Sequence, residues 1–414
     1  MGQVAHCLGR AVELVSGVMK GMIHRDRPRW FAALGRRLGV LAFLVPTFMG
    51  LSAAEAATAS AGSWTSTGPL TVARGFHTAD HQAIRLGTGE LLVEGGDVTN
   101  GKISTAVTNA ELFDPSTKTW TATAPLDTAR DFFTATLLQN GDVLVAGGYD
   151  ASNNSLASAE IYDPGTGTWS QAHSMNISRG YHTATLLKDG RVLVVGGDTG
   201  ASWAPTATAE IYDPAKDAWT LTARPPSGAH AAGVAALLPD GRVLVAGGYQ
   251  PGGAIQQTSA AEIYDPPTDT WSPARPMRTP RTFADVAVVG GKVLVAGGEN
   301  DSSGYLASAE LFDPATGKWS VTGSMKARHA CAASAQLPDG RVLLAGGLGP
   351  SATGSTPQAT VEIYSPATGS WTMAANLLTA SDHEAAGVLA DGRVVVAGGY
   401  SNTTGLQASQ IYTP

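Results

Sequence analysis

Cysteine is nearly missing: Cys7 and Cys331 are the only two in 414 residues. A disulfide framework is excluded, so a large apolar core must hold the chain together. Charge is scarce as well, at 15% of residues, and acids outnumber bases by 34 to 27 for a net charge of −7. With no basic stripe to neutralise phosphates, nucleic acid drops out of the expected ligands. Long apolar runs are absent too. The stretch at 38–51 contains Pro46 and covers 14 residues, short of the roughly 20 that cross a bilayer as a helix.

What the chain has is glycine, 50 residues of it, and many short Val, Leu, Ile and Ala runs. Such runs suit buried strands better than amphipathic helices, and an all-β chain is expected. The first 59 residues read differently. His24-Arg25-Asp26-Arg27-Pro28-Arg29 and Arg36-Arg37 precede the apolar stretch, and Ala54-Glu55-Ala56 and Ala57-Thr58-Ala59 follow it with small-x-small patterns. This is the layout of a secretory leader cleaved near residues 56–59. Residues 1–59 are therefore expected to be removed on export, leaving no membrane span in the mature chain and an extracytoplasmic protein: periplasmic, cell-surface or secreted.

Beyond the leader the sequence repeats. A Gly-Gly pair follows an apolar run at Gly95, Gly147, Gly196, Gly247, Gly297, Gly346 and Gly398, at steps of 49 to 52 residues. A second signature comes after a variable loop, Ala-Glu-Leu-Phe-Asp-Pro at 110–115 and Ala-Glu-Ile-Tyr-Asp-Pro at 159–164 and 209–214, with relatives at Ile263, Leu311 and Ile363. Eight residues past each Ile or Leu stands a tryptophan: Trp120, Trp169, Trp219, Trp271, Trp319, Trp371. Asp189-Gly190, Asp240-Gly241, Asp339-Gly340 and Asp391-Gly392 suit tight hairpins between the first two strands, because glycine accepts positive φ. Asp-Pro with a following glycine turns the chain between the last two. Each unit thus reads as a four-stranded antiparallel meander, and seven of them arranged radially bury one another's faces as a propeller.

The seventh unit stops at Ile411-Tyr412-Thr413-Pro414 without a fourth strand, while Trp64 stands alone ahead of the first unit. Pairing the segment around Trp64 with the one around Ile411 completes the seventh sheet and leaves no open edge. A monomer is expected of such a closed ring. Gly-Gly after an apolar strand, then Tyr, then Trp at fixed distance, resembles the kelch repeat, over residues 62–414. The fold class expected is therefore an all-β, seven-bladed kelch β-propeller closed by its N-terminal strand. The departures are Phe113 and Phe312 in place of Tyr, and Ser365-Pro366 and Thr413-Pro414 in place of Asp-Pro.

In kelch propellers the loops joining strands two and three share one face with the inter-blade connections, and that face commonly binds ligands. Around 97–109, 249–260 and 348–360 these loops vary in this chain, as recognition loops on a rigid scaffold do. Arg74, Arg130, Arg179, Arg281 and Arg328 precede the inner strands, with His81, His182, His230, His329 and His383 in or beside them. Placed at the channel mouth, these ten residues would grip carboxylates or sugar hydroxyls. Asp285 and Glu384 fall in different blades, and no spacing brings them together. Cys331, at the start of an inner strand, is expected to be a buried inert thiol.

The resemblance extends to galactose-oxidase-like copper enzymes, whose propeller needs a Tyr crosslinked to Cys, further Tyr and His ligands and a His from a following domain. No such set accompanies Cys331, and no cofactor, metal or catalytic residue is expected. Sialic-acid epimerases of the periplasm resemble kelch propellers too, generally with six blades. The leading expectation is an exported binding module engaging a protein or a glycan through its loop-bearing face. The alternative is a carbohydrate-active enzyme, epimerase-like before galactose-oxidase-like.

Overall fold

The computed structural model describes residues 62–414 apart from 76–81, 100–103, 201–203, 224–227, 251–255, 353 and 403. The leader expected at 1–59 and its Cys7 lie outside the described residues, as does His81. Among the described residues no helix is long and apolar enough to cross a membrane.

Seven four-stranded antiparallel sheets make the ring. Blade three is representative: Thr183–Leu186, Val192–Val195, Ala209–Asp213 and Ala218–Leu221, each strand hydrogen-bonded to the next in order. Val192–Val195 is buried throughout, which is why its sequence is apolar at every position instead of alternating. The hairpin before it turns at Asp189-Gly190. Gly190 has φ +88°, and Asp189 accepts from the Arg191 N–H at 3.1 Å.

Blade seven is completed from the other end of the chain, as expected. Its strands are Ala385–Val388, Val394–Ala397, Ser409–Thr413 and Ser63–Ser66, and Trp64 stands opposite Tyr412. The two rings lie 5.1 Å apart, and Trp64 Nε1 donates to the Ala375 carbonyl of blade six at 2.8 Å. The same Tyr or Phe against Trp stack recurs in every blade, for example Tyr162 with Trp169 at 5.0 Å and Phe312 with Trp319 at 5.2 Å. The strand-three aromatic is fully buried. The tryptophans split: Trp64, Trp120 and Trp371 are buried, whereas Trp169, Trp219, Trp271 and Trp319 are half-buried on the outer edge.

The Gly-Gly pair is where each blade meets the next. The N–H of Gly148 donates to the Arg179 carbonyl at 2.8 Å, Gly298 to His329 at 2.7 Å, and Gly399 to Arg74 at 3.0 Å, the last of these closing blade seven on blade one. Gly148 has φ +91°, and a Cβ there would strike the Asp131 carbonyl. Only glycine combines that dihedral with so close a neighbouring backbone. Inner strands surround a central cavity of about 450 Å³ lined by small and apolar side chains such as Ala135, Ala184, Ala235, Val286 and Ser334.

Candidate functional site

The arginines expected at the mouth are placed elsewhere. Arg74, Arg130, Arg179 and Arg281 are buried, and each meets the glutamate of strand three in its own blade: Glu111 at 2.9 Å, Glu160 at 2.7 Å, Glu210 at 2.8 Å and Glu310 at 3.1 Å. The guanidinium also donates to the carbonyl of the first glycine of the pair, Arg130 to Gly147 and Arg179 to Gly196, both at 2.7 Å. Glu160 in turn accepts the N–H groups of Asp127 and Thr128 in the connection arriving from blade one. This arrangement ties connection, inner strand and third strand together, and it holds these four cations out of contact with solvent. Burial lowers the Arg74 guanidinium to about 10, with Glu111 opposing the shift.

His230 and His329 stand where the other blades carry arginine. Their Nδ1 atoms meet the carbonyls of Gly247 at 2.7 Å and Gly346 at 2.6 Å, and His329 lies 3.8 Å from Glu362. Blade seven has neither partner of the ion pair: Ser381 replaces the arginine and Gln410 the glutamate, with Gln410 Oε1 accepting from Leu378 N–H at 2.8 Å. His182 is buried against Thr134 at 2.9 Å, and burial pushes it down to about 3, so it is neutral. Arg328 is exposed and donates to the Ser303 carbonyl at 3.3 Å. Of the nine described residues among the ten proposed from sequence, only His383 belongs to the innermost layer of the mouth.

That layer is a ring of strained backbone. Phe132, Tyr181, Ala232, Phe283, Cys331 and His383, one from each of blades two to seven, have φ between 50° and 55°. Each N–H from Tyr181 onward donates to the carbonyl of the preceding member, at 2.9 to 3.3 Å. Left-handed conformations at non-glycine residues cost about 1–3 kcal/mol each and cluster at functional sites. The hydrogen-bonded ring over-determines them here.

A second layer is formed by the residue after each Gly pair: Asp97, Tyr149, Asp198, Tyr249, Glu299, Leu348 and Tyr400. Acid and aromatic alternate until Leu348. Tyr249 donates to Asp198 of the preceding blade, and Tyr400 to Asp97 across the closure. Each second-layer residue also bridges the residue just before the strained ring, Asp131 with Tyr149 and Asp382 with Tyr400 among them. The two layers together make a cup. Blades two to four contribute the aromatic half, where Phe132 and Tyr181 stack at 4.0 Å. Blades five to seven contribute Glu299, Tyr305, Cys331, Asp382 and His383.

The cup is rich in buried carboxyl groups. Burial pushes Asp198 up to about 7, and Asp131 is raised by burial and by the charge of Asp97. Glu299 is pushed up to about 9 and Glu384 to about 8, again by burial first. Among the described residues, Asp131 Oδ1, Asp198 Oδ1, Glu299 Oε1 and Asp382 Oδ2 find no hydrogen-bond partner. Asp285 and Glu384 do come within electrostatic reach of one another, with Cys331 also near Asp285. The curvature of the ring joins what linear spacing could not.

These shifts set the sign of the pH dependence. The folded carboxyls keep protons that the unfolded chain releases near the ordinary 4.5, so the stability they contribute is present below that pH and is lost as pH rises through about 8 for Glu384 and about 9 for Glu299. His383, raised to about 10, acts in the same direction. The hairpin aspartates such as Asp189, lowered from 3.8, matter only in stronger acid. The melting temperature is expected to fall as pH is raised from about 5 to 9. Calorimetry showing a rise over that interval would contradict this assignment.

Comparison with known proteins now decides the family. The family model described as the KLHDC2/KLHL20/DRC7 kelch-repeats domain matches residues 80–281, and the kelch motif matches 280–326 and 329–378. The chain belongs to the kelch-repeat family. This kelch propeller is 41% identical over 68 residues to the influenza virus NS1A-binding protein homolog of Mus musculus, covering 16% of this chain and 10% of that protein. It is 40% identical over 68 residues, with the same coverage, to the NS1A-binding protein of Homo sapiens. The chain thus spans about a tenth of the length of these curated relatives. Among solved structures, a fungal alcohol oxidase of the AA5 family in complex with copper superposes with TM-score 0.68 at 22% identity, covering 86% of this chain and 77% of that one. YjhT superposes with TM-score 0.56 at 15% identity, covering 74% and 99%. At these identities the likeness carries the propeller fold alone. Among the described residues no group of three or more His, Cys, Asp or Glu is placed to hold a metal ion.

Proposed function

We propose that this kelch propeller is an exported interaction module that binds a protein partner on its loop-bearing face, with the cup receiving a basic side chain of that partner. The observation that carries this reading is a set of buried carboxyl oxygens that have no hydrogen-bond partner among the described residues: Asp131 Oδ1 and Asp198 Oδ1 on the side of the Phe132 and Tyr181 rings, and Glu299 Oε1 and Asp382 Oδ2 in the other half of the cup. An ammonium or guanidinium group satisfies carboxylates and stacks on aromatic faces at once. Arg328, exposed on the same face, is a rim contact.

Titration calorimetry against lysine-containing and glutamate-containing versions of one peptide tests the proposal. The lysine form is expected to bind more tightly, and D198N to weaken it by at least about tenfold. Because an incoming cation displaces protons from the raised carboxyls, affinity should increase between about pH 6 and 8. Equal binding of the two peptides would sink the reading.

A glycan is the second ligand class, favoured by the Phe132 and Tyr181 platform, and a glycan array is its assay. The epimerase alternative needs arginine, histidine and carboxylate converging at one end of the channel, and the engagement of the four buried arginines within their own blades counts against it.

A further inference from the structure

The channel has a second end. Inner strands run from the strained ring to the hairpins that join strands one and two, and the central cavity lies along their lower halves, between Thr136 and Leu137 of blade two, Thr185 and Leu186 of blade three and their counterparts. One residue from each blade stands at a common level where that cavity ends. Leu137, Leu186, Leu237, Val288 and Val388 occupy it in five blades, paired with Val143, Val192, Val243, Val293 and Val394. Blade six puts Gln336 there, opposite Val342, and blade one puts Arg85, opposite Leu91. In every blade the strand-two partner is the residue that also faces the buried Tyr or Phe of strand three, so the seven positions are equivalent.

This collar is two-sided. Its five aliphatic side chains are only half-buried, so hydrocarbon faces the channel, while Gln336 and Arg85 are exposed. Gln336 Nε2 spans to the Val288 carbonyl of blade five at 2.8 Å. Among the described residues Arg85 makes no hydrogen bond and no ion pair. Other arginines of the same face are matched: Arg191 and Arg242 hold the aspartates of their own hairpins, Asp189 and Asp240, at 2.7 and 2.6 Å. Lys188, on the hairpin below Leu186, donates from Nζ to the Pro239 carbonyl at 2.5 Å. No carboxylate is among the described residues that line the cavity. An unmatched guanidinium thus adjoins an apolar collar, with nothing negative between them.

We propose that the hairpin end of the channel binds a small aliphatic carboxylate, its chain lying among Leu137, Leu186, Leu237 and Val288 and its carboxylate held at the rim by Arg85. The cavity, about 450 Å³, falls within the size range of small-ligand pockets. Seating a chain against the collar removes apolar surface of both partners from water, and the planar guanidinium matches a carboxylate with two parallel N–H donors. One level deeper, the hydroxyls of Thr136 and Thr185 line the cavity and make it polar again, which favours a short chain over a long one. This site lies at the opposite end of the channel from the cup and does not depend on the partner proposed for it.

Ligand-observed NMR titration of the full chain with sodium hexanoate, hexan-1-ol and sodium acetate is the test. Hexanoate is expected to saturate a single site and to bind at least about fivefold more tightly than either of the others, since it alone engages both sides of the collar. R85Q should bring hexanoate down to the affinity of hexan-1-ol, and added NaCl should move the unmutated protein in the same direction. L186N should weaken hexanoate and hexan-1-ol alike. Hexanoate held no better than hexan-1-ol, or held as tightly by R85Q as by the unmutated chain, would overturn the proposal. So would uptake that climbs without saturating, which marks partition onto apolar surface in general. Arg85 is exposed, so its replacement leaves the sheet intact and the comparison decisive even where L186N does not fold.

Discussion

Replacing Glu160 with alanine is expected to destabilise the propeller by about 3–5 kcal/mol. Arg130 would be left buried with no carboxylate, and the N–H groups of Asp127 and Thr128 would lose their acceptor. Blade seven shows how the fold manages without the pair: Ser381 and Gln410 replace both members, Gln410 keeps the backbone acceptor, and Ser381 donates to Glu384 at 2.7 Å. The double variant R130S/E160Q should therefore unfold at a higher denaturant midpoint than E160A alone, despite altering one more residue. Urea denaturation of both variants checks this. A double variant no more stable than E160A would mean that the buried charge is not what makes the single change costly.

Blade seven also explains what was legible in the sequence. Gly pairs repeated seven times, the Trp spacing repeated six times and the Asp-Gly hairpin repeated four times are local signals, and the closing role of Trp64 follows from counting them. Whether an arginine points to solvent or inward is not a local property. It depends on the glutamate two positions before the buried Tyr of strand three, on the same face, as Glu160 is with Tyr162. A charged residue on a buried face demands a partner, and that was the readable clue: the column that carries glutamate six times carries Gln410 in the blade where arginine becomes Ser381. The cup was harder to see. Asp131, Asp198, Glu299 and Asp382 come from blades separated by repeats of 49 to 52 residues, and only the curvature of the ring brings them together. They sit in columns where the repeat varies, which a search for the repeat passes over.

The division of labour follows. Positions that recur are buried: the Gly pair binds blade to blade, and the Arg with its Glu ties the incoming connection to the third strand of its own blade. Positions that differ, the strained ring and the residue after each Gly pair, face one another at the mouth. Recognition is expected there because the scaffold can vary those residues without loosening a sheet.

The closing strand gives the other large expected effect. Trp64 is buried, stacks on Tyr412, and bonds to the Ala375 carbonyl of blade six, so its removal loosens the seam and the adjacent blade together. W64A should cost about 3–5 kcal/mol. W319A, at a half-buried tryptophan inside a covalently continuous blade, should cost less. The difference matters because the Ser63–Ser66 strand is joined to its sheet only by pairing with Ser409–Thr413. Once it detaches, the latter presents an open edge. The W64A protein should therefore also self-associate near its unfolding transition, visible as concentration-dependent elution on size exclusion, while W319A remains unchanged in size. Equal destabilisation by the two substitutions, with no change in association, would show that the seam is no weaker than any other part of the ring.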